Sequence, residues 1–239
     1  MDEEYIRSVQ ENLGGVLSRI RVAARGRDVT VLLATKTVSA QVINRLSEYM
    51  GHALIGENKV QELLEKYDEL EKDRLEIHFI GHLQTNKVRQ IIDKVQLIHS
   101  LDRWELAKEI SKRAVAAGKR MPVLVEINIA REPEKSGVYP EQAEEFINKA
   151  AELEGLHICG IMTMAPAKIT SQEYNRYFTQ TKEIFDRIAE NKPHGVDMDI
   201  LSMGMSDSYE QAAQCGSTMV RVGSAVFGKR AYPEKIENN

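Results

Sequence analysis

Val29-Thr30-Val31-Leu32-Leu33-Ala34-Thr35-Lys36-Thr37 is a short apolar run that ends on a lysine. Apolar residues fill both of its faces, as a strand buried on both sides of a parallel sheet requires, and the run is too short for a core helix. Side chains alternate at period 2, so Leu32, Ala34 and Lys36 share one face. The amine then projects where an apolar lining opens to solvent. Partial loss of hydration disfavours an ammonium, and it suits a lysine to Schiff-base chemistry with an aldehyde. A strand-end lysine reaching into water fits the same position.

Outward from this strand, helix and strand alternate along the whole chain. Residues 3–25 have helical spacing, with Ile6, Val9, Leu13, Val16, Leu17 and Ile20 on one stripe. After Lys36 the pattern predicts a helix over 39–50 and a strand over 52–55. Gly56-Glu57-Asn58 stops that strand, and Asn58 or Glu57 can cap a helix over 59–71. Strands follow over 77–81, ending at His82, and over 95–99, ending at Ser100, with a short helix over 84–92 between them. Asp102 caps a helix that Gly118 stops. A strand over 122–128 leads through a polar loop to Pro140, which opens the next helix. Strands over 157–163, 198–201 and 218–222 complete the series, with helices over 171–190 and 207–214 between them. Eight strands with helices between them fit a (β/α)8 TIM barrel, a single domain over 1–239 with an extra N-terminal helix.

Composition narrows the function classes. The 239 residues carry 28% charged side chains and a formal net charge of −4. That balance gives no reason to expect a nucleic acid or an anionic membrane as partner. Cys159 and Cys215 form no CxxC pair and read as buried free thiols in a reducing compartment. No apolar run approaches a membrane span, and Met1-Asp2-Glu3-Glu4 is acidic where a signal peptide would be basic. The expectation is a cytoplasmic protein.

In a barrel the chemistry sits at the C-terminal strand ends. Lys36, Asn58, His82, Ser100, Asn128, Thr163 and Ser202 fall at or just beyond such ends. The last two ends say more. Leu201-Ser202-Met203-Gly204-Met205-Ser206-Asp207 passes from strand through a glycine turn into a helix, with Asp207 and Glu210 spaced as a capping box. Met219-Val220-Arg221-Val222-Gly223-Ser224 repeats the pattern. Backbone N–H groups at a helix start, backed by serine hydroxyls, form an anion site that suits a phosphate monoester. Gly204 and Gly223 also read as plain turn glycines.

Strands one and eight are neighbours in a closed barrel, so the lysine lies beside the phosphate turns. An aldehyde-reactive amine next to a phosphate site suggests pyridoxal 5′-phosphate (PLP), one ligand satisfying both features. Arg221 shares its strand face with Met219 and Gly223 and points inward, toward the pyridine ring. A guanidinium facing the ring nitrogen would keep that nitrogen unprotonated, and the ring would be a poor electron sink.

The whole chain resembles the pyridoxal phosphate homeostasis proteins, single-domain relatives of the alanine racemase barrel. The matching words are Ala34-Thr35-Lys36-Thr37, Gly56-Glu57-Asn58-Lys59-Val60-Gln61-Glu62, His78-Phe79-Ile80-Gly81-His82-Leu83-Gln84-Thr85-Asn86-Lys87, His99-Ser100-Leu101-Asp102, Gly160-Ile161-Met162-Thr163-Met164, Leu201-Ser202-Met203-Gly204-Met205-Ser206 and Val220-Arg221-Val222-Gly223-Ser224-Ala225-Val226-Phe227-Gly228. The chain departs from the family pattern at Lys59 and Ser208. The resemblance implies that Lys36 carries PLP as an aldimine, that Ser202, Ser206, Gly223 and Ser224 surround its phosphate, and that Arg221 faces the ring nitrogen. Asn58, His82, Ser100 and Met162 would line the rest of the pocket.

The resemblance further implies a monomeric PLP carrier or buffer with no established turnover, with apo PLP-dependent enzymes as recipients. Alanine racemases carry a second domain whose tyrosine serves as the opposite base, and this chain ends at Asn239 without one. Two-base proton transfer needs a group on each face of the substrate. A slow racemase is the enzymatic alternative, with His82 or a tyrosine as the second group, and a Schiff-base aldolase is a third reading.

Overall fold

The computed structural model describes residues 3–228. Eight parallel strands close into a barrel in sequence order: β1 (Thr30–Ala34), β2 (Ala53–Glu57), β3 (Leu75–Phe79), β4 (Leu97–Leu101), β5 (Met121–Ile127), β6 (Leu156–Thr163), β7 (Ile200–Ser202) and β8 (Met219–Val222). Strand β8 closes on β1 with Leu32 opposite Arg221. Helices α1 (Glu3–Ala24), α2 (Ala40–Met50), α3 (Val60–Tyr67), α4 (Val88–Ile91), α5 (Trp104–Ala116), α6 (Ala143–Ala151), α7 (Ser171–Glu190), α8 (Tyr209–Gln214) and α9 (Ser224–Phe227) surround it. The barrel class and the extra N-terminal helix are as the pattern predicts.

The strand alternation sorts side chains between two cores. Leu33, Ile55, Ile77, Ile98 and Val125 face the helices, in the large core between the barrel and its outer ring. Leu32, Ile80 and Met219 face the interior, as do Leu97, Leu124 and Met162. Both faces of β1 are therefore apolar, and that burial is why its sequence reads as a continuous apolar run.

Helix α1 buries Ile6, Val9, Leu13, Val16 and Ile20, whereas Leu17, expected on the same stripe, is exposed. The helix packs against α8 and α9. Asn12 Nδ2 donates to Val226 O at 3.1 Å and the Tyr5 hydroxyl to Phe227 O at 3.2 Å, tying α1 to α9.

Three helix-start expectations are corrected, and a fourth, Pro140 at the opening of a helical segment, holds with a 3-10 first turn. Strand β2 runs through Gly56 and Glu57, and α3 starts after Lys59 with no side-chain cap; the Glu57 carboxylate faces the helix layer and pairs with Lys66 of α3. Asp102 does not cap α5; its carboxylate receives Arg103 Nη1 at 2.6 Å. Pro140 opens a short 3-10 turn, Pro140–Gln142, ahead of α6. The Asp207–Glu210 capping box is absent because the chain turns first, Ser208 N donating to Met205 O at 2.9 Å, and α8 begins at Tyr209. Both cysteines are free, but each is only partly buried, and Cys159 Sγ lies 3.7 Å from His157 Nδ1. Burial raises the Cys159 thiol to about 11, which keeps it protonated at neutral pH.

Candidate functional site

The segment after β1 is held from behind. Lys66 Nζ donates to Thr35 O at 3.1 Å and Val38 O at 3.0 Å, on either side of Lys36, and pairs with Glu57 Oε1 at 3.0 Å. Thr35 Oγ1 also donates to Glu57 Oε1, and Thr37 N donates to Glu62 Oε1. Thr37 adopts a left-handed conformation, φ 66°, which a β-branched residue takes only when its surroundings impose it. Lys36 is thus presented from a braced turn two residues past the strand end. It is half-buried.

The amine lies on a cavity of about 570 Å³ at the C-terminal end of the barrel, within the size range of small-molecule sites. Lys36, Asn58, Ser206, Arg221, Gly223 and Ser224 line it, so six of the ten expected residues share one space. Gly81 lets Asn58 approach: a Cβ at Gly81 would lie 2.1 Å from Asn58 O.

On the β7–β8 side of the cavity, the chain leaves β7 through Gly204, whose φ of 90° and close packing on Ala212 admit no side chain. Gly223, at φ −125°, needs no such freedom. Ser208 Oγ accepts from Met205 N at 3.2 Å, so the serine that departs from the family pattern stabilises this turn. Gly223 N and Ala225 N both donate to Ser206 Oγ, at 3.0 and 3.2 Å. Two backbone N–H groups at the start of α9 thus converge on one hydroxyl oxygen, a donor arrangement of the kind that can receive an anion.

Arg221 lies beneath, 4% exposed. Nη1 donates to Ser202 Oγ at 2.7 Å and Nη2 to Thr163 O at 2.9 Å. Burial lowers its guanidinium to about 10, partly offset by Glu126, so it stays charged at neutral pH.

The remaining four expected residues lie off this cavity lining. Ser202 is buried under Arg221. Met162 packs with Leu97 and Leu124 inside the barrel, and it is Met164 that reaches the cavity. Ser100 is buried, its Oγ without a hydrogen-bond partner among the described residues, where a register shift interrupts the β4–β5 pairing. His82 is exposed and turned to Ser136 Oγ, 3.0 Å from Nδ1, and toward Asp102.

Glu126 lies outside the expected set of site residues. It is 3% exposed, lines an adjoining cavity of about 240 Å³, and has its carboxyl raised to about 7 by burial and by Asp102, against the pull of Arg221. A carboxylate at the inward parity of Leu124 in an apolar strand was the signal for it.

A family model described as alanine racemase, N-terminal domain, matches residues 17–231. A pyridoxal phosphate homeostasis protein of Aquifex aeolicus is 42% identical over 227 residues, 93% of this chain and 98% of that one. The chain belongs to the pyridoxal phosphate homeostasis protein family.

Solved structures agree. A protein of unknown function from Bifidobacterium adolescentis superposes with a TM-score of 0.89 at 33% identity, covering 95% of this chain and 97% of that one. PipY of Synechococcus elongatus with PLP bound superposes with a TM-score of 0.81 at 27% identity, covering 92% of this chain and 100% of that one. Members of the pyridoxal phosphate homeostasis protein family thus share the barrel and, in PipY, the ligand that an amine beside backbone N–H donors suits.

A larger cavity, about 760 Å³, opens at the N-terminal ends of the strands, with Glu76, His78 and Cys159 in its lining. No described helix is long and apolar enough to cross a membrane.

Proposed function

We propose that the chain binds PLP in the cavity at the C-terminal end of its barrel, tethered covalently to Lys36, and serves as an intracellular carrier or buffer of that cofactor. One observation carries the reading: Lys36, the buried Arg221, Ser206 and the Gly223–Ser224 start of α9 share a single cavity. A phosphorylated aldehyde needs an amine for its carbonyl carbon and hydrogen-bond donors for its phosphate, so the residues present fit the group. PLP bound in PipY and the name of the Aquifex relative support the same ligand.

Each residue has a role in this reading. Ser206, Gly223 and Ser224 hold the phosphate, with Ser202 acting from below through Arg221. Arg221 meets the ring nitrogen with a charge that does not give up its proton. Asn58 borders the ring, whereas Ser100, Met162 and His82, off the cavity lining, have no direct contact with the ligand in this reading. PLP supplies carbanion stabilisation when its ring nitrogen is protonated, and an arginine at that nitrogen leaves this capacity weak. Binding and release, rather than turnover, are then what the site does well.

Slow racemisation is the second reading, favoured by Glu126, whose elevated carboxyl could exchange a proton near neutral pH. Mixing PLP-loaded protein with an apo PLP-dependent enzyme, with alanine and serine racemisation assayed in parallel, separates the two. The carrier reading predicts recovery of the recipient's activity and racemase turnover far below the usual enzyme median of about 10 per second. Rapid racemisation without transfer would overturn it.

A further inference from the structure

A chain of hydrogen-bonding side chains threads the barrel from one cavity to the other. Arg221 Nη1 lies 2.7 Å from Ser202 Oγ, Ser202 Oγ 3.3 Å from His99 Nδ1, His99 Nε2 3.0 Å from His78 Nδ1, and His78 Nε2 2.8 Å from Glu76 Oε1. His78 and His99 are 2% and 0% exposed, whereas Glu76 opens on the N-terminal cavity. The strands alternate so that Glu76 and His78 on β3, His99 on β4, Ser202 on β7 and Arg221 on β8 all face inward.

The direction of the chain follows from its two ends. A guanidinium only donates and an ionised carboxylate only accepts. Ser202 therefore accepts from Arg221 and gives its own proton to His99 Nδ1. His99 then carries its proton on Nε2 and donates to His78 Nδ1, and His78 donates from Nε2 to Glu76. Each of the three inner members, Ser202, His99 and His78, accepts once and donates once, with no surplus proton. The opposite direction leaves the Ser202 proton without an acceptor in the chain and requires His78 to be protonated on both nitrogens. Burial, with His78 and Arg221 nearby, holds His99 well below the ordinary imidazole range and so keeps it neutral.

We propose that His99, backed by His78 and Glu76, is a positioning residue for Arg221: the one-way donor chain fixes the Ser202 oxygen, and through it the guanidinium that faces the cofactor cavity. The role of Arg221 toward the ring rests on the PLP reading above, while the direction of the chain does not. In this arrangement Ser202 presents a lone pair to Nη1 because His99 has claimed its proton. With Thr163 O taking Nη2, the guanidinium is held at two points, its plane set by groups beneath the cavity.

The test has two arms. In the ¹⁵N-labelled full chain without PLP, histidine side-chain shifts should show His78 and His99 as neutral Nε2–H tautomers. His99 protonated on Nδ1, or charged, would overturn the proposal. In the second arm PLP is titrated into wild type, His99→Leu and His99→Gln. Glutamine can accept from Ser202 through its carbonyl and donate to His78 through its amide, so it should keep the absorption maximum and an affinity within about twofold of wild type. Leucine should shift the maximum and weaken binding about tenfold or more, about 1.4 kcal/mol. Folded His99→Leu protein with wild-type absorption and affinity would overturn the proposal, and should it not fold, failure of His99→Gln to keep both would do so. Wild type that binds no PLP would count against the cofactor reading, and the tautomers would then decide this one.

Discussion

Glu57 and Lys66 form a buried ion pair, Nζ to Oε1 3.0 Å, directly behind the turn that presents Lys36. Neither residue touches the cavity. The pair matters because the same ammonium holds the carbonyls of Thr35 and Val38, fixing the backbone on both sides of the lysine.

Removing one partner leaves a buried charge uncompensated, which costs about 3–5 kcal/mol. Burial already raises the Glu57 carboxyl, with Lys66 pulling it down. Lys66→Met is expected to lose stability of that order in urea unfolding, and the double variant Glu57→Gln, Lys66→Met to recover much of it. A loss below about 1 kcal/mol, typical of a surface pair, would show that the pair is not structural.

Glu126 gives the cofactor-free protein a pH dependence of definite sign. Its folded carboxyl lies near 7, above the ordinary 4.5. Such a group contributes stability that is full below the ordinary value and is lost as pH rises through 7. The rise corresponds to about 3 kcal/mol. Wild type should therefore unfold at lower urea at about pH 8 than at about pH 5, and Glu126→Gln should remove much of the difference. An equal pH dependence in both proteins would show that Glu126 is not the group responsible.

The donor arrangement at Ser206, Gly223 and Ala225 predicts strong preference for the phosphorylated vitamer. Each charge-assisted hydrogen bond contributes about 1.5–3 kcal/mol, so pyridoxal lacking phosphate should bind orders of magnitude more weakly than PLP. Calorimetric titration of the two compares them directly. Similar affinities would remove the phosphate from this wall of the cavity.

Helix α1 reaches the same wall through Asn12 and Val226 O. Asn12→Ala is expected to cost about 1 kcal/mol of stability and to speed PLP release, since α9 loses a tie at its C-terminal end. Stopped-flow release at the wild-type rate would confine Asn12 to a structural role.

The barrel was legible because each strand is a short apolar run and each connecting helix carries a 3.6-residue stripe, signals that arise from burial of one chain segment. Lys36 and Arg221 were legible by parity, since period-2 alternation from Leu32 and Met219 carries both to the interior face. Glu57 and Lys66 were not. Their partners lie on other segments, and a charge in a strand carries no mark of the opposite charge it meets after folding. Two helix starts misled because cap-like spacing does not say which group claims the carboxylate: Glu57 goes to Lys66 on α3, and Asp102 to its own neighbour Arg103. The His78–His99 contact likewise joins residues 21 positions apart and exists only once β3 and β4 are side by side.

Covalent attachment at Lys36 is the central claim, and borohydride reduction of the PLP-loaded protein followed by peptide mapping tests it most directly. Reduction makes the linkage permanent, so the phosphopyridoxyl label should map to Lys36. Lys36→Ala, which removes no core packing, should remain folded and lose both the label and the visible absorbance. A label on another lysine in the wild type, or full absorbance in folded Lys36→Ala, would contradict the account.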